Sequence, residues 1–274
     1  MLKMASKDFE RAKSVCYNKI KIWREKTMDS YISQSFDKNY AFAWSMDQGG
    51  FSSQLAKNLH EYINKNKLSV KSCLDICCGT GEFLAYMQKQ GVKCSGTEVA
   101  KSMIEYCSRE YPTMSFALAK QIYDIPVKGK FDLISCNHDM VNMIEQFQNW
   151  QELFKSAYKA LEKNGIFVFD FYTKNKLENW NEVIYEQSDK IDHVKSIKTG
   201  MDNKCIMNEV YYIKNNEERY EKTFDIVVEA YFENEQIYNA LLKAGFKTVQ
   251  FCDFALSPVD KYSSRNRIHV IAKK

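Results

Sequence analysis

The sequence predicts an α/β fold in which helices cover both faces of a doubly wound, mostly parallel sheet. Three observations predict it: short apolar runs alternate with helical patterns, a glycine-rich turn follows the first run, and alternating polar and apolar residues interrupt the pattern late in the chain. The 274 residues, 45% of them hydrophobic, are ample for a packed core. We expect an N-terminal helical lid in residues 1–66, an α/β body in residues 67–173 and 232–274, and a small inserted antiparallel sheet in residues 174–231.

The N-terminal region is predicted to be helical. Between residues 8 and 26, apolar side chains recur every three to four positions, the spacing of an amphipathic helix. The net charge of +4 comes from this region, because residues 1–30 carry eight Lys or Arg against four Asp or Glu. Such a basic face is either solvated or contacts a membrane or an acidic partner. An aromatic segment with Tyr40, Phe42 and Trp44 follows, and then a helix from about residue 52 to residue 64.

The α/β body is predicted to hold seven strands. Apolar runs give the first five, at residues 72–77, 93–97, 114–118, 131–136 and 165–171. Helical patterns separate them at residues 82–90, 101–109 and 150–162, and Lys163-Asn164-Gly165 closes the last helix. Beyond the insert, a helix over residues 233–244 ends at Gly245. Two final strands, at residues 247–253 and 267–272, then form a hairpin at one edge of the sheet.

The insert is predicted from a change of periodicity. In V-I-Y-E-Q, H-V-K-S-I-K-T and E-V-Y-Y-I-K, β-branched and aromatic residues alternate with polar ones, and turn signals separate these runs. Its aromatic residues Trp180, Tyr185, Tyr211 and Tyr212 either wall a substrate pocket or form the core of the small sheet.

The glycine-rich turn predicts a nucleoside site. Residues 74–83 read L-D-I-C-C-G-T-G-E-F, so that Asp75 ends the first strand and Gly79 and Gly81 let the backbone approach a ligand closely. Glu98 ends the second strand, where its carboxylate can accept hydrogen bonds from both hydroxyls of a ribose. The alternative is a structural turn with acids on either side by chance.

A dinucleotide is a poorer fit to this turn. The dinucleotide fingerprint requires a third glycine, and this chain has Leu84 there. Asp75 would also repel a pyrophosphate. A sulfonium cofactor that carries an ammonium group and no phosphate is compatible with that acid.

These segments resemble the class I S-adenosylmethionine-dependent methyltransferases, from about residue 36 to the C-terminus. L-D-I-C-C-G-T-G matches that family's first motif, G-T-E-V-A-K-S-M its second, and K-F-D-L-I-S-C-N-H-D-M-V-N-M resembles its fourth. The resemblance implies a Rossmann-like fold that binds S-adenosyl-L-methionine and releases S-adenosyl-L-homocysteine. It implies cofactor-binding roles for these residues: Tyr40, Trp44, Asp75, Cys77, Cys78, Gly79, Gly81, Glu98, Val99, Met103, Gln121, Ile122 and Asn137.

Within that resemblance, Glu98 would hold the ribose, and the adenine would lie against residues after the second and third strands. Those are Val99, Met103, Gln121 and Ile122. Lys120 departs from the acid that the family often carries at its position. Family members with a small β insertion after the fifth strand include glycine N-methyltransferase and the amino-sugar N-methyltransferases.

Two residues are candidates for catalysis. His138 follows the fourth strand at the carboxyl edge of the sheet and titrates near neutrality, so it is a candidate general base; the alternative is a helix cap. Asp170 closes the apolar strand I-F-V-F-D-F and either pairs with an amine substrate or anchors a neighbouring loop.

We therefore expect a methyltransferase that acts on a small molecule or a peptide, at nitrogen. RNA methylation and a non-catalytic cofactor-binding module are the alternatives. The chain beyond residue 30 is charge-balanced, which disfavours nucleic acid, and no run is long enough to cross a membrane. Nine cysteines without a C-x-x-C pair, and four His at no ligand spacing from them, predict reduced thiols, no metal and a cytoplasmic protein. The state of association is left open between monomer and homodimer.

Overall fold

The computed structural model describes residues 38–215, 218–261 and 263–274, with side chains from residue 50 onward. The helix predicted over residues 8–26 lies outside the described residues. The helices are α1 (Lys38–Lys65), α2 (Glu82–Lys89), α3 (Lys101–Glu110), α4 (Phe147–Ala160), α5 (Lys174–Leu177) and α6 (Asn234–Ala244), with a 3₁₀ turn at Met140–Met143. The strands are β1 (Ser72–Ile76), β2 (Lys93–Glu98), β3 (Ser115–Leu118), β4 (Phe131–Cys136), β5 (Leu161–Tyr172), β6 (Glu182–Gln187), β7 (Ile191–Thr199), β8 (Lys204–Lys214), β9 (Tyr220–Ala230), β10 (Thr248–Cys252) and β11 (Arg267–Lys273).

The main sheet has seven strands in the order β10-β11-β5-β4-β1-β2-β3. The strands from β5 to β3 are parallel, and β11 runs antiparallel to both of its neighbours. The predicted α/β fold with a mostly parallel seven-stranded sheet is thus confirmed. After β1, the chain adds β2 and β3 on one side of it and then returns to add β4 and β5 on the other side. A crevice opens at the carboxyl ends of strands at such a point.

The core forms on both faces of this sheet, and β5 shows how. Phe167, Phe169 and Phe171 point to one face, where the Phe169 ring lies 5.4 Å from that of Phe154 on α4. Ile166 and Val168 point to the other face and join a second core cluster. Asp170 continues this second series at the carboxyl end of the strand, next to the crevice.

Two predicted boundaries were wrong. The helix expected from residue 52 begins at Lys38 and continues through Gly49 and Gly50. Helix α4 ends at Ala160, and β5 begins at Leu161, so that Lys163-Asn164-Gly165 lies inside the strand. The cause is a bulge: Asn164 has a φ of 67°, and the pairing of β5 with β4 shifts register between Phe131 and Leu133.

The inserted strands form a separate antiparallel sheet in the order β6-β7-β8-β9. Alternate residues of β8 face inward. One of them, Met207, lies beside Ile197 of β7 and Val227 of β9, and the three side chains are buried together. Further along β8, Tyr211 packs with Met103 of α3. The inserted sheet therefore covers the crevice at the carboxyl edge of the main sheet.

The eight described cysteines are free and buried. Burial raises the pKa of the thiols of Cys73, Cys77 and Cys136 well above the usual value, so that they stay protonated. In the described part of the chain, no helix has the length and apolar character that a bilayer span requires.

Candidate active site

A cavity of about 250 Å³ lies between the main sheet and the inserted sheet. One part of its wall comes from the ends of β1 and β2, the turns after them, and Asn137 directly after β4, which bonds to Asp75. The other part comes from the rest of the loop after β4, the ends of β5 and β11, and the inward face of the inserted sheet. We call these parts the glycine-turn end and the insert end.

The turn after β1 is held tightly against β2. Gly79 and Gly81 have positive φ values of 53° and 86°, and Cys77 has 53°. A Cβ atom at Gly81 would lie 2.8 Å from the ring of Tyr111. A Cβ atom at Gly96 on β2 would lie 2.6 Å from Sγ of Cys78. Both glycines are therefore required for the close packing of turn, helix and strand.

Asp75 lies at the end of β1, 3% exposed, and lines the glycine-turn end. Its Oδ1 accepts hydrogen bonds from Oγ of Ser135 at 2.7 Å and Nδ2 of Asn137 at 3.3 Å. Burial raises the pKa of Asp75 to about 7; the bond from Ser135 opposes this rise, and the Glu98 carboxylate adds to it. A cation placed beside Asp75 would favour its charged form.

Glu98 is held by backbone groups. Its Oε2 accepts a hydrogen bond from the N–H of Gly79 at 3.0 Å, and its Oε1 accepts bonds from the N–H groups of Val99 at 2.6 Å and Ala100 at 3.1 Å. Burial raises its pKa, and these three bonds lower it. Glu98 thus ties the glycine turn to the end of β2 while its carboxylate lines the cavity.

The glycine-turn end fits S-adenosylmethionine better than a phosphate-bearing ligand. Its charged lining residues are the acids Asp75, Glu82 and Glu98, and no Lys or Arg of the described residues joins them there. Oδ1 of Asn137 is buried without a hydrogen-bond partner among the described residues. An ammonium group supplies both the charge and the donors that these atoms lack.

Eight of the predicted site residues line this cavity: Asp75, Cys77, Cys78, Gly79, Glu98, Met103, Asn137 and His138. Val99, Gln121 and Ile122 do not line it, and the side chains of Val99 and Ile122 are part of the main core. Their contact with adenine stays a prediction. Gly81 acts through its turn and not as part of the wall, and the side chains of Tyr40 and Trp44 lie outside the described residues.

His138 lines the cavity in a strained loop. It and Asp139 are consecutive non-glycine residues with φ of 59° and 50°, a conformation that costs energy and persists where the surroundings hold it. Nε2 of His138 lies 2.7 Å from Oγ of Ser52 on α1, and its ring centroid lies 4.4 Å from that of Phe51. Burial lowers the pKa of His138 to about 4, so that the imidazole is neutral at pH 7.

Asp170 does not line the cavity; it holds the wall in place. It is fully buried, and its Oδ2 accepts hydrogen bonds from the N–H of Asp139 at 3.1 Å and from Arg267. Arg267 also pairs with the carboxylate of Asp139, and its guanidinium lies 4.1 Å from the ring centroid of Tyr172. The sequence allowed two roles for Asp170, pairing with an amine substrate or anchoring a neighbouring loop. The observed contacts correspond to the anchoring role.

The insert end contains charged residues that sequence reasoning missed. Lys195 on β7 and Glu209 on β8 form an ion pair at 2.6 Å, and both line the cavity with Glu229 of β9. The alternation of residues along β8 could have indicated Glu209, because it lies on the same side of that strand as the apolar residue Met207 and the aromatic residue Tyr211.

The aromatic residues of the insert divide between pocket, core and surface. Trp180 lines the cavity, as one of the two predictions had it. Tyr211 is a core residue, stacked on His193 with centroids 4.0 Å apart. The prediction that Tyr185 and Tyr212 line the pocket was wrong, because both side chains are exposed.

The fold and this cavity define an S-adenosylmethionine-dependent methyltransferase of class I. A family model described as "Methyltransferase domain" matches residues 48–250. Because the match covers well over half of the sequence, the chain belongs to that family, and its cofactor is S-adenosylmethionine.

Two bacterial relatives support the family. A Geobacillus protein that is named as a methyltransferase is 21% identical over 228 residues, which cover 80% of this chain and 89% of the relative. The Bacillus subtilis protein YqeM, also named as a methyltransferase, is 22% identical over 189 residues, which cover 66% and 76%.

Solved structures share the fold. An S-adenosylmethionine-dependent methyltransferase from Clostridium acetobutylicum is 19% identical with a TM-score of 0.71, and the match covers 94% of this chain and 98% of that one. The sugar N-methyltransferase KedS8 from Streptoalloteichus is 15% identical with a TM-score of 0.68, covering 82% and 87%. CalS10, an amino pentose methyltransferase from Micromonospora, is 15% identical with a TM-score of 0.65, covering 80% and 89%.

Proposed function

We propose that this methyltransferase transfers a methyl group to a nitrogen of a small molecule or a peptide. The observation that carries the proposal is a single cavity that joins the acidic glycine-turn end to a carboxylate-bearing insert end. The fold neighbours named as sugar N-methyltransferase and amino pentose methyltransferase support a nitrogen acceptor. We assign residues 67–173 and 232–274 to cofactor binding, residues 174–231 to covering the acceptor, and residues 1–66 to a lid.

The glycine-turn end would hold the cofactor. Asp75 and Asn137 would bind its ammonium group, and Glu98 would accept bonds from its ribose hydroxyls, with Met103 beside the adenine. When bound, S-adenosylmethionine supplies a methyl group on a positively charged sulfur, which is already an activated leaving group. The chain itself must then orient a nucleophile, exclude water and receive one proton.

His138 is our candidate for receiving that proton. It is neutral at pH 7 because burial lowers its pKa to about 4, so a ring nitrogen has a lone pair for the proton but would hold it weakly and pass it on to solvent. Its Nε2 lies 2.7 Å from Oγ of Ser52. Asp170 is a positioning residue, because it binds the backbone of Asp139 and the guanidinium of Arg267 and so fixes the loop that carries His138.

Titration calorimetry and a labelled-methyl assay test this function. We expect Glu98→Ala to weaken S-adenosylmethionine binding by about 1 to 3 kcal/mol, since a charge-assisted bond is lost. Glu105→Ala on the exposed face of α3 is the matched control and should leave the affinity unchanged. An unchanged affinity in Glu98→Ala would remove that residue from the site.

The same protein, incubated with methyl-labelled cofactor and a cell extract, should label a small molecule or a peptide. Label that disappears when the extract is treated with ribonuclease would favour the RNA alternative. Cofactor binding without any transfer would favour the non-catalytic module.

A further inference from the structure

Glu229 is a buried carboxyl that the proposed mechanism does not use. It lies on the inward face of β9 opposite Cys205, is 2% exposed, and lines the cavity. Its Oε2 has no hydrogen-bond partner among the described residues. Leaving a buried polar atom without a partner costs free energy, so a group that binds in the cavity is the expected partner.

A second carboxyl, that of Asp139, lies close to Glu229. Two carboxylates that lie close together in a buried site repel each other, which favours a proton on one of them. Burial raises the pKa of Glu229 well above its usual value, and the adjacent Asp139 raises it further. Both effects favour the protonated form of Glu229 as long as no further cation approaches.

The two cations nearby are already committed to other carboxylates. Arg267 pairs with Asp139 and Asp170, and Lys195 pairs with Glu209. With Glu229 ionised, this group of side chains would hold four carboxylates against two cations. One additional positive charge would compensate part of that excess and would supply donors to Oε2 of Glu229.

Apolar side chains line another part of the insert end. Met143, Trp180, Met207 and Val227 contribute to its wall. A ligand that fills this space must therefore carry its charge on an apolar body, because apolar walls leave additional polar groups without partners.

We propose that Glu229 and Asp139 bind the methyl acceptor and select a positively charged amine on an apolar body. This inference rests on the proposed function and specifies its substrate class. An amine that arrives protonated beside the protonated carboxyl of Glu229 releases one proton to solvent, whether that proton leaves from the carboxyl or from the nitrogen. The titratable or charged groups facing Glu229 are Asp139, Tyr172, Lys195, Cys205 and Arg267.

Calorimetry with a matched pair of probes tests the proposal on the full chain saturated with S-adenosylhomocysteine. We expect benzylamine to bind at least about tenfold tighter than benzyl alcohol at neutral pH. Titrations in buffers of different ionisation enthalpy should show release of about one proton with the amine and none with the alcohol. Equal affinities of the probes, failure of benzylamine to bind, or absence of proton release would each overturn the proposal.

Two variants locate the effect. Glu229→Gln should lose the preference for the amine while it retains its affinity for S-adenosylhomocysteine. Glu221→Gln, exposed on the same strand, should retain both. A Glu229→Gln protein that still prefers the amine contradicts the assignment; if this variant fails to fold, the proton release of the unaltered protein still decides. Failure to bind S-adenosylhomocysteine would instead contradict the proposed function.

Discussion

The two ends of the cavity are built in different ways. At the glycine-turn end, the carboxylate of Glu98 is held by three backbone N–H groups, two from the residues directly after it and one from Gly79 in the turn after β1. At the insert end, carboxylates are held by side-chain ion pairs, and Arg267 reaches Asp139 from a strand far along the chain. The first arrangement depends on local chain geometry, whereas the second depends on the whole domain being assembled. The ends should therefore respond differently to mutation and pH.

The largest effect is expected from removing the central cation of the insert end. Arg267→Met should lower the free energy of unfolding by about 3 to 5 kcal/mol, since Asp139 and the fully buried Asp170 would lose their common partner. Urea denaturation measures this change. Arg265→Met, exposed just before the same strand, is the control and should change stability little. A loss as small as that of the control would show that this end is not held by its ion pairs.

The next prediction concerns the glycine-turn end, where a substitution should raise the free energy of unfolding. Because burial raises the pKa of Asp75 to about 7, the folded protein favours the protonated carboxyl. The resulting stability is fully present below about pH 4 and is lost as the pH rises through about 7. Asp75→Asn should thus stabilise the protein without cofactor by on the order of 2 to 4 kcal/mol at pH 8, with little gain at pH 4.

Urea denaturation at both pH values checks this prediction, and calorimetry should show that the same variant binds S-adenosylmethionine poorly. Ser135→Ala removes a bond to Asp75 without removing its charge, so it should not reproduce the gain. Equal stability of Asp75→Asn and the unaltered protein at pH 8 would contradict the raised pKa.

The smallest effect concerns His138, which lies in the loop after β4. His138→Ala should lower kcat by about tenfold and leave cofactor affinity nearly unchanged, because the residue would act on the proton and not on the cofactor. As burial lowers its pKa to about 4, the rate profile of the unaltered enzyme should show no inflection from His138 near pH 6.5. Ser52→Ala tests the orientation of the ring. A normal rate in His138→Ala would refute its role as a base.

The difference between the ends also explains what could be predicted from sequence. Asp75, Gly79 and Glu98 stand at fixed spacing in one contiguous motif, and strand periodicity places them at one edge of the sheet. The partner of Asp170 is Arg267, and nothing in the spacing of these two residues indicates their ion pair.

Glu229 and Glu209 were missed for a different reason. Each lies at an inward position of a half-buried strand, where parity predicts an apolar residue. The departure from that pattern was visible in the sequence, but its meaning required knowing that the inward face of the insert covers a cavity. Helix α1 likewise continues through Gly49 and Gly50, which the sequence did not indicate, and it packs against α2.

The buried cysteines give the protein an internal reporter of opening. An alkylating reagent reaches a thiol only when the surrounding structure separates, so each modification rate measures a local opening equilibrium. Of the eight described thiols, Cys205 belongs to the inserted sheet, while the others belong to the main body. Peptide mass spectrometry of timed alkylation would thus show whether the inserted sheet separates from the main body by itself or only when the whole protein unfolds.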